Sequence, residues 1–260
     1  MTAPTLPAAD RLPDVPAPGL GTLVRVELRK SADTRAGFWL LVSLGVLALA
    51  APALILFFAD PPDKALSEYV AVAQLPVALL LPVLGILLVT SEWSQRTALS
   101  TFALVPQRSR VLLAKLLAAV VLGGLGVVAT LLSGVLAVAL TPVLTADPAS
   151  WSLEPAQVAQ TALAQVLVVL VGVAFGLLLL SSPLAIVVYF ALPTAFTVLV
   201  STVASLDWLR DWWDLTTTTG PMYSGDLQGE GWAQVGTSTL LWLVVPLVAG
   251  WIRVQRSEIA

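Results

Sequence analysis

The chain has 260 residues, 58% of them apolar and only 11% charged, with a mean hydropathy of +0.91. So few charges cannot cover a soluble domain of this size, and 13 basic against 16 acidic side chains, with no clustered basic face, exclude nucleic-acid binding. Cysteine and histidine are both absent, which excludes disulfides, thiol nucleophiles, Cys/His metal sites and imidazole bases.

Residues 1–19 are rich in Pro and Ala, carry two aspartates and lack the apolar run of a signal peptide. They predict a disordered N-terminal tail. Residues 20–36 predict an interfacial amphipathic helix. Leu20, Leu23, Val24 and Leu28 share one face, Arg25 and Arg29 the other, and Glu27 interrupts the apolar stripe. An anchor on anionic lipid and a docking face for a partner are equally open readings.

A hydrocarbon core about 30 Å thick takes about 20 helical residues to cross. Six stretches qualify, at about 37–59, 69–90, 111–141, 158–181, 183–205 and 235–252. The third is longer than one crossing, so it is expected to tilt or project, with Lys115 snorkelling to the headgroups. Residues 158–205 hold 48 positions without a charge. As one helix they would reach about 72 Å, so two spans are required, broken at Ser181, Ser182 and Pro183.

The basic residues orient this frame. With both termini inside, 11 of the 13 lysines and arginines face the cytosol, and only Lys64 and Arg210 lie outside. Trp39, Trp93, Trp151 and Trp251 fall near span ends, as an aromatic belt requires. The expected fold is therefore an all-α integral membrane protein of the cell membrane. It is multi-pass, with cytosolic termini and a short cytosolic tail at residues 253–260.

Within the spans, Gly172 and Gly176 form a Gly-x-x-x-Gly pair that lets backbones approach, here read as packing within one chain. Pro76, Pro82, Pro193 and Pro246 predict kinks or freed carbonyls. Outside, Trp208, Leu209, Trp212 and Trp213 share one arc of a short helix, while Asp207, Arg210, Asp211 and Asp214 share the other. Trp208, Trp212 and Trp213 thus mark an outer interfacial helix, either an aromatic anchor or a cap on an exit path.

Between the second and third spans, residues 90–110 read TSEWSQRTALSTFALVPQRSR, with Lys115 following. Residues 97–104 predict a short cytosolic helix with Leu99, Phe102 and Ala103 on one face, rimmed by Arg96, Arg108 and Arg110. An apolar knob with basic edges suits a groove on another protein. Glu92 sits at the end of the second span, one helical turn from Arg96, a spacing that allows an ion pair.

This stretch resembles the permease subunits of type 2 ATP-binding-cassette (ABC) exporters. Their second span ends in Glu, followed by Gly-Thr, an apolar turn, Pro, Arg and a Lys entering the third span. Glu92, Thr97, Leu99, Pro106, Arg108 and Lys115 keep that order, although Arg96 replaces the glycine. Residues 24–30, VRVELRK, are also similar to the family's helix before its first span. The resemblance implies that residues 97–104 form a coupling helix seated on a separate ABC ATPase subunit. It further implies a permease homodimer or heterodimer in the bilayer, with ATP and Mg held by the ATPase and no cofactor on this chain.

The chain lacks a Gly-x-x-x-x-Gly-Lys-Ser/Thr loop, so it cannot hydrolyse ATP by the P-loop mechanism. Its mid-span regions hold no charged residue, which argues against a proton- or ion-coupled carrier. A non-transporting membrane scaffold or sensor subunit is the alternative, and an intramembrane enzyme ranks last because Ser133 and Ser181 have no base. Gln74, Gln165, Tyr189 and Thr194 are the scattered polar groups available to line a path, or simply to bond within their own helices.

Overall fold

In the computed structural model the described residues are 18–60, 64–95, 97, 99, 101 and 107–256. They form α1 (Leu20–Asp33), α2 (Arg35–Phe58), α3 (Leu66–Ser94), α4 (Arg108–Leu144), α5 (Pro155–Leu179) and α6 (Ser182–Thr202). Two short helices follow, α7 (Asp207–Trp213) and α8 (Leu215–Thr219), and then the long α9 (Gly231–Arg256). Six of these helices, α2 to α6 and α9, are long and apolar enough to cross a membrane. No strand occurs among the described residues, only a single parallel bridge between Ala65 and Ser150.

The bundle has two ends. The near end gathers α1, the start of α2, the end of α3, the start of α4, the α5–α6 corner and the end of α9. The far end gathers the α2–α3 and α4–α5 connections, α7, α8 and the start of α9. At 37 residues, α4 spans about 56 Å and overshoots a single crossing.

The α3–α4–α5 trio is the interior. Of the most apolar window of α5, 61% is buried, against 11% for α6. Close approach is built from glycine. A Cβ on Gly172 would collide with the Pro82 carbonyl oxygen, and one on Gly85 would lie 2.6 Å from the Val169 carbonyl oxygen. Gly176 faces Ile86 in the same seam. The Gly172/Gly176 pair therefore packs α5 on α3 within the chain, where small residues allow backbone contact. Side-chain hydroxyls add bonds across the bundle: Tyr69 to Thr141 at 2.9 Å and Ser133 to the Ala48 carbonyl at 2.5 Å.

The long apolar run breaks between α5 and α6. Leu180 takes a left-handed conformation (φ 53°), Ser181 is extended, and Pro183 lies in the first turn of α6, where its missing N–H costs no helix bond. In α9 the residue before the Pro246 turn is reached through a π-turn at Leu240–Val244, which widens the helix so that the proline fits. The α1–α2 corner is sharper still. The Thr34 side chain accepts from the Gly37 N–H at 3.1 Å, and a Cβ on Gly37 would strike the Ser31 carbonyl oxygen.

Candidate functional site

At the near end α1 lies against α4, α2 and α3. Its inward face carries half-buried Leu23, Val24 and Leu28, and its most buried members are Glu27 and Ser31. Arg25 and Arg29 point to solvent. Glu27 thus does not interrupt the packing stripe; it lies in the middle of it, 4% exposed. The reason is on α4, 88 residues away.

The Lys115 ammonium meets the Glu27 carboxylate at 2.6 Å and the Glu92 carboxylate at 3.3 Å. The Lys30 ammonium meets the same two carboxylates, Glu27 at 2.9 Å and Glu92 at 2.7 Å. Each carboxylate uses one oxygen for each lysine, so the four side chains close a ring of alternating charge. Lys115 is 3% exposed and donates its remaining hydrogen bond to the Leu88 carbonyl at 2.9 Å. It therefore does not snorkel: an ion pair with Glu27 and Glu92 holds it inside the protein.

The ring is formally neutral, with two ammoniums against two carboxylates. A single charge taken from water into this setting would cost several kcal/mol, so its members depend on one another. Lys30, the outermost, feels burial working against its ammonium. The hydrogen bonds it donates to the Glu92 and Glu27 carboxylates, with their negative charge, outweigh burial and hold its pKa above the ordinary lysine value.

Glu92 also reaches the segment that follows α3. The Thr101 hydroxyl donates to its carboxylate at 3.1 Å, and the Thr97 N–H donates to its backbone carbonyl at 2.9 Å. The Thr101 N–H in turn donates to the Thr97 carbonyl at 3.1 Å, closing one turn. Leu99, between them, is 52% exposed. Arg96, Phe102, Ala103 and Pro106 lie outside the described residues, as does most of the expected coupling helix. Beside the ring is a cavity of about 680 Å³ between α1, α4 and this segment, lined by Glu27, Lys30, Glu92, Thr97 and Thr101.

Arg108 takes a different role from a rim charge. Its guanidinium donates to the carbonyls of Val254 (2.8 Å) and Gln255 (3.3 Å), capping the last turn of α9. Arg253 on α9 donates to the Leu178 carbonyl at the end of α5, and Arg110 to the Pro18 carbonyl at 2.9 Å. The near end is therefore tied both by the ring and by arginines on helix C-termini.

The far end is tied mainly by neutral groups. The Gln160 amide donates to the Leu227 carbonyl and accepts from the Leu227 N–H, both at 3.0 Å. Gln157 donates to the Ser67 and Tyr223 carbonyls, and Thr161 to the Met222 carbonyl. Trp208 is exposed, whereas Trp212 and Trp213 are half-buried and act through their backbone. Their carbonyls accept from the Thr237 hydroxyl at 2.7 Å and the Trp242 indole N–H at 2.8 Å. Asp207 and Asp211 pair with Arg210, while Asp214 accepts from Thr197 and caps α8 through Thr217.

One far-end ion pair joins two connections: Lys64 to Asp147 at 2.6 Å. The Lys64 hydrogen bond holds the Asp147 carboxyl below its ordinary pKa. In the interior, by contrast, the amides of Gln74 and Gln165 are buried with no hydrogen-bond partner. The Gln165 amide nitrogen lies against Gly126 and, unlike the threonine hydroxyls, bonds no carbonyl of its own helix.

Sequence reasoning found Glu92 and Lys115 but not Glu27 or Lys30 as their partners. A signal was present: Glu27 is the one carboxylate on the inward face of α1, and Lys115 the one charge in the apolar stretch of α4. Two lone opposite charges at matching depth are candidates for each other. No protein-family model matches the chain, and no curated protein sequence is similar to it at a significant level.

Proposed function

We propose that the chain is the membrane-spanning permease subunit of a type 2 ABC exporter, driven by a separate ATPase subunit that docks on the segment between α3 and α4. The near end is then cytosolic, the orientation favoured by the 11-to-2 division of basic residues. Two copies, or this chain with a related one, would form the membrane part of the complex in the cell membrane. ATP and Mg would be bound by the ATPase.

The observation that carries this reading is the closed ring of Lys30, Glu27, Lys115 and Glu92 beside the docking segment. Thr97 and Thr101 bond to Glu92, and Glu92 bonds to lysines on α1 and α4. A displacement of the segment would therefore be carried to three helices at once by short, strong contacts. Exposed Leu99 supplies an apolar contact of the kind a partner groove takes. The six apolar helices and the missing P-loop in the sequence fit a subunit that spans the membrane and takes its power from elsewhere.

The test is co-purification of ATP hydrolysis with the tagged chain from its native membrane. ATPase activity should accompany the wild-type chain and fall at least tenfold with Leu99→Asp, a change equivalent to roughly 1.4 kcal/mol or more of docking energy. Activity that never accompanies the chain would overturn the proposal. An ATPase that binds, yet whose turnover never responds to any solute, would favour the scaffold reading.

A further inference from the structure

At the far end a second cavity, of about 560 Å³, opens between α3, the start of α5 and the turn around Tyr223. That volume is in the range of small-molecule sites. Glu68 and Glu154 stand in its wall, both exposed, and no lysine or arginine lines it. Ala71, Val72, Leu75 and Ala78 continue the wall along one face of α3, and Leu75 is 69% exposed, so the cavity opens sideways as well as outward. From Ser67 to Ala78 the helix rises about 16 Å, room for the tail of a single-chain amphiphile.

The chain's own contacts fix this wall. Gln157 holds the turn to α5 and α3 by donating to the Tyr223 and Ser67 carbonyls, and Gly225, with φ 83°, lets that turn seat directly on the Gln157 backbone. Gln74, 2% exposed, also forms part of the wall.

We propose that this cavity binds a cationic amphiphile, its ammonium group between Glu68 and Glu154 and its alkyl chain along Ala71, Val72 and Leu75. The carboxylates choose the sign of the head, and the apolar face of α3 selects for a tail. The site is independent of the ATPase, so it stands or falls apart from the reading of the near end.

The experiment uses the full chain alone in phosphatidylcholine nanodiscs, with a dodecylammonium probe carrying a diazirine at the end of its tail. Photolabelling should be saturable and map by mass spectrometry to α3 between Ser67 and Ala78. Glu68→Gln with Glu154→Gln should weaken labelling by about tenfold, since two screened charges near the head are removed. Both positions are exposed, so the double variant keeps the fold. The cavity-filling Val72→Phe should weaken it as well. Free dodecylammonium should compete and dodecyl sulfate should not. Competition by lysophosphatidylethanolamine would assign the same site to an aminated lipid. Unsaturable labelling spread over the lipid-facing helices, equal labelling of the carboxylate variant, or equal competition by the sulfate would overturn the proposal.

Discussion

The two ends of the bundle solve the same problem with different chemistry. Both must hold polar chain segments against apolar helices. The near end does so with four charged side chains from α1, α3 and α4 that each contact two others. The far end does so mainly with amides, hydroxyls and an indole N–H, each bonding a backbone carbonyl or N–H on its own. Its charged contacts, Lys64–Asp147 and buried Asp214, stand apart from one another. A charged ring is collective: removing one member leaves its partners buried and unbalanced. Neutral clamps are separable, because each loss is confined to one pair of groups. The near end is thus suited to move as a unit, and the far end to hold its connections in place.

The largest expected effect breaks the ring. Glu27→Gln leaves Lys115 with Glu92 as its single ion-pair partner, at the longer 3.3 Å distance. Loss of about 3–5 kcal/mol is expected in reversible unfolding by SDS in mixed micelles. A change under about 1 kcal/mol would place Glu27 among the surface ion pairs instead.

At the far end the effects should be smaller and additive. Gln160→Leu leaves the Leu227 N–H and carbonyl unpaired in a buried setting, a loss of about 2 kcal/mol in the same assay. Combined with Thr237→Val, which removes the bond to Trp212, the two losses should sum to within about 0.5 kcal/mol. Strong coupling between them would erase the contrast between the ends.

The smallest effect is a matter of pH. The Asp147 carboxyl is held below its ordinary pKa by Lys64, so its contribution is present above the ordinary carboxylate range. It is lost as pH falls through the depressed value. Asp147→Asn should lower the melting temperature modestly near neutral pH, where Lys64 loses its ion pair, and leave it unchanged in acid, so that the acid limb of the profile is flattened. Lys30 has the opposite sense: its pKa is raised, so its contribution is complete below the ordinary lysine range and is lost only as pH rises beyond it. Lys30 therefore keeps its charge throughout the physiological range.

Much of this architecture is legible in the sequence because apolar length is a local property. The six long helices, the break before Pro183 and the Gly172–Gly176 seam all follow from spacing along one stretch of chain. Glu27 is the counterexample. Its neighbours make it a flaw in an amphipathic stripe, and only the position of Lys115, 88 residues on, turns it into the centre of one. Lys115 likewise reads as a snorkelling lysine until a carboxylate from another helix is brought beside it. Arg108 is legible as a charge in the segment between α3 and α4, but the carbonyls of Val254 and Gln255 that it caps lie at the opposite end of the chain. A pairing between distant residues shows along the chain only as a lone charge on each partner's element.

The most direct test of the ring as a single unit is a double-mutant cycle between Glu27→Gln and Lys115→Met. Unfolding free energies are read for both single variants and the double variant in one micelle composition. Acting as a unit, the pair should give a coupling energy of about 2 kcal/mol or more, with the double variant more stable than the sum of the single losses. A coupling energy within about 0.5 kcal/mol of zero would contradict it, and the near end would then be held by separable contacts like those of the far end.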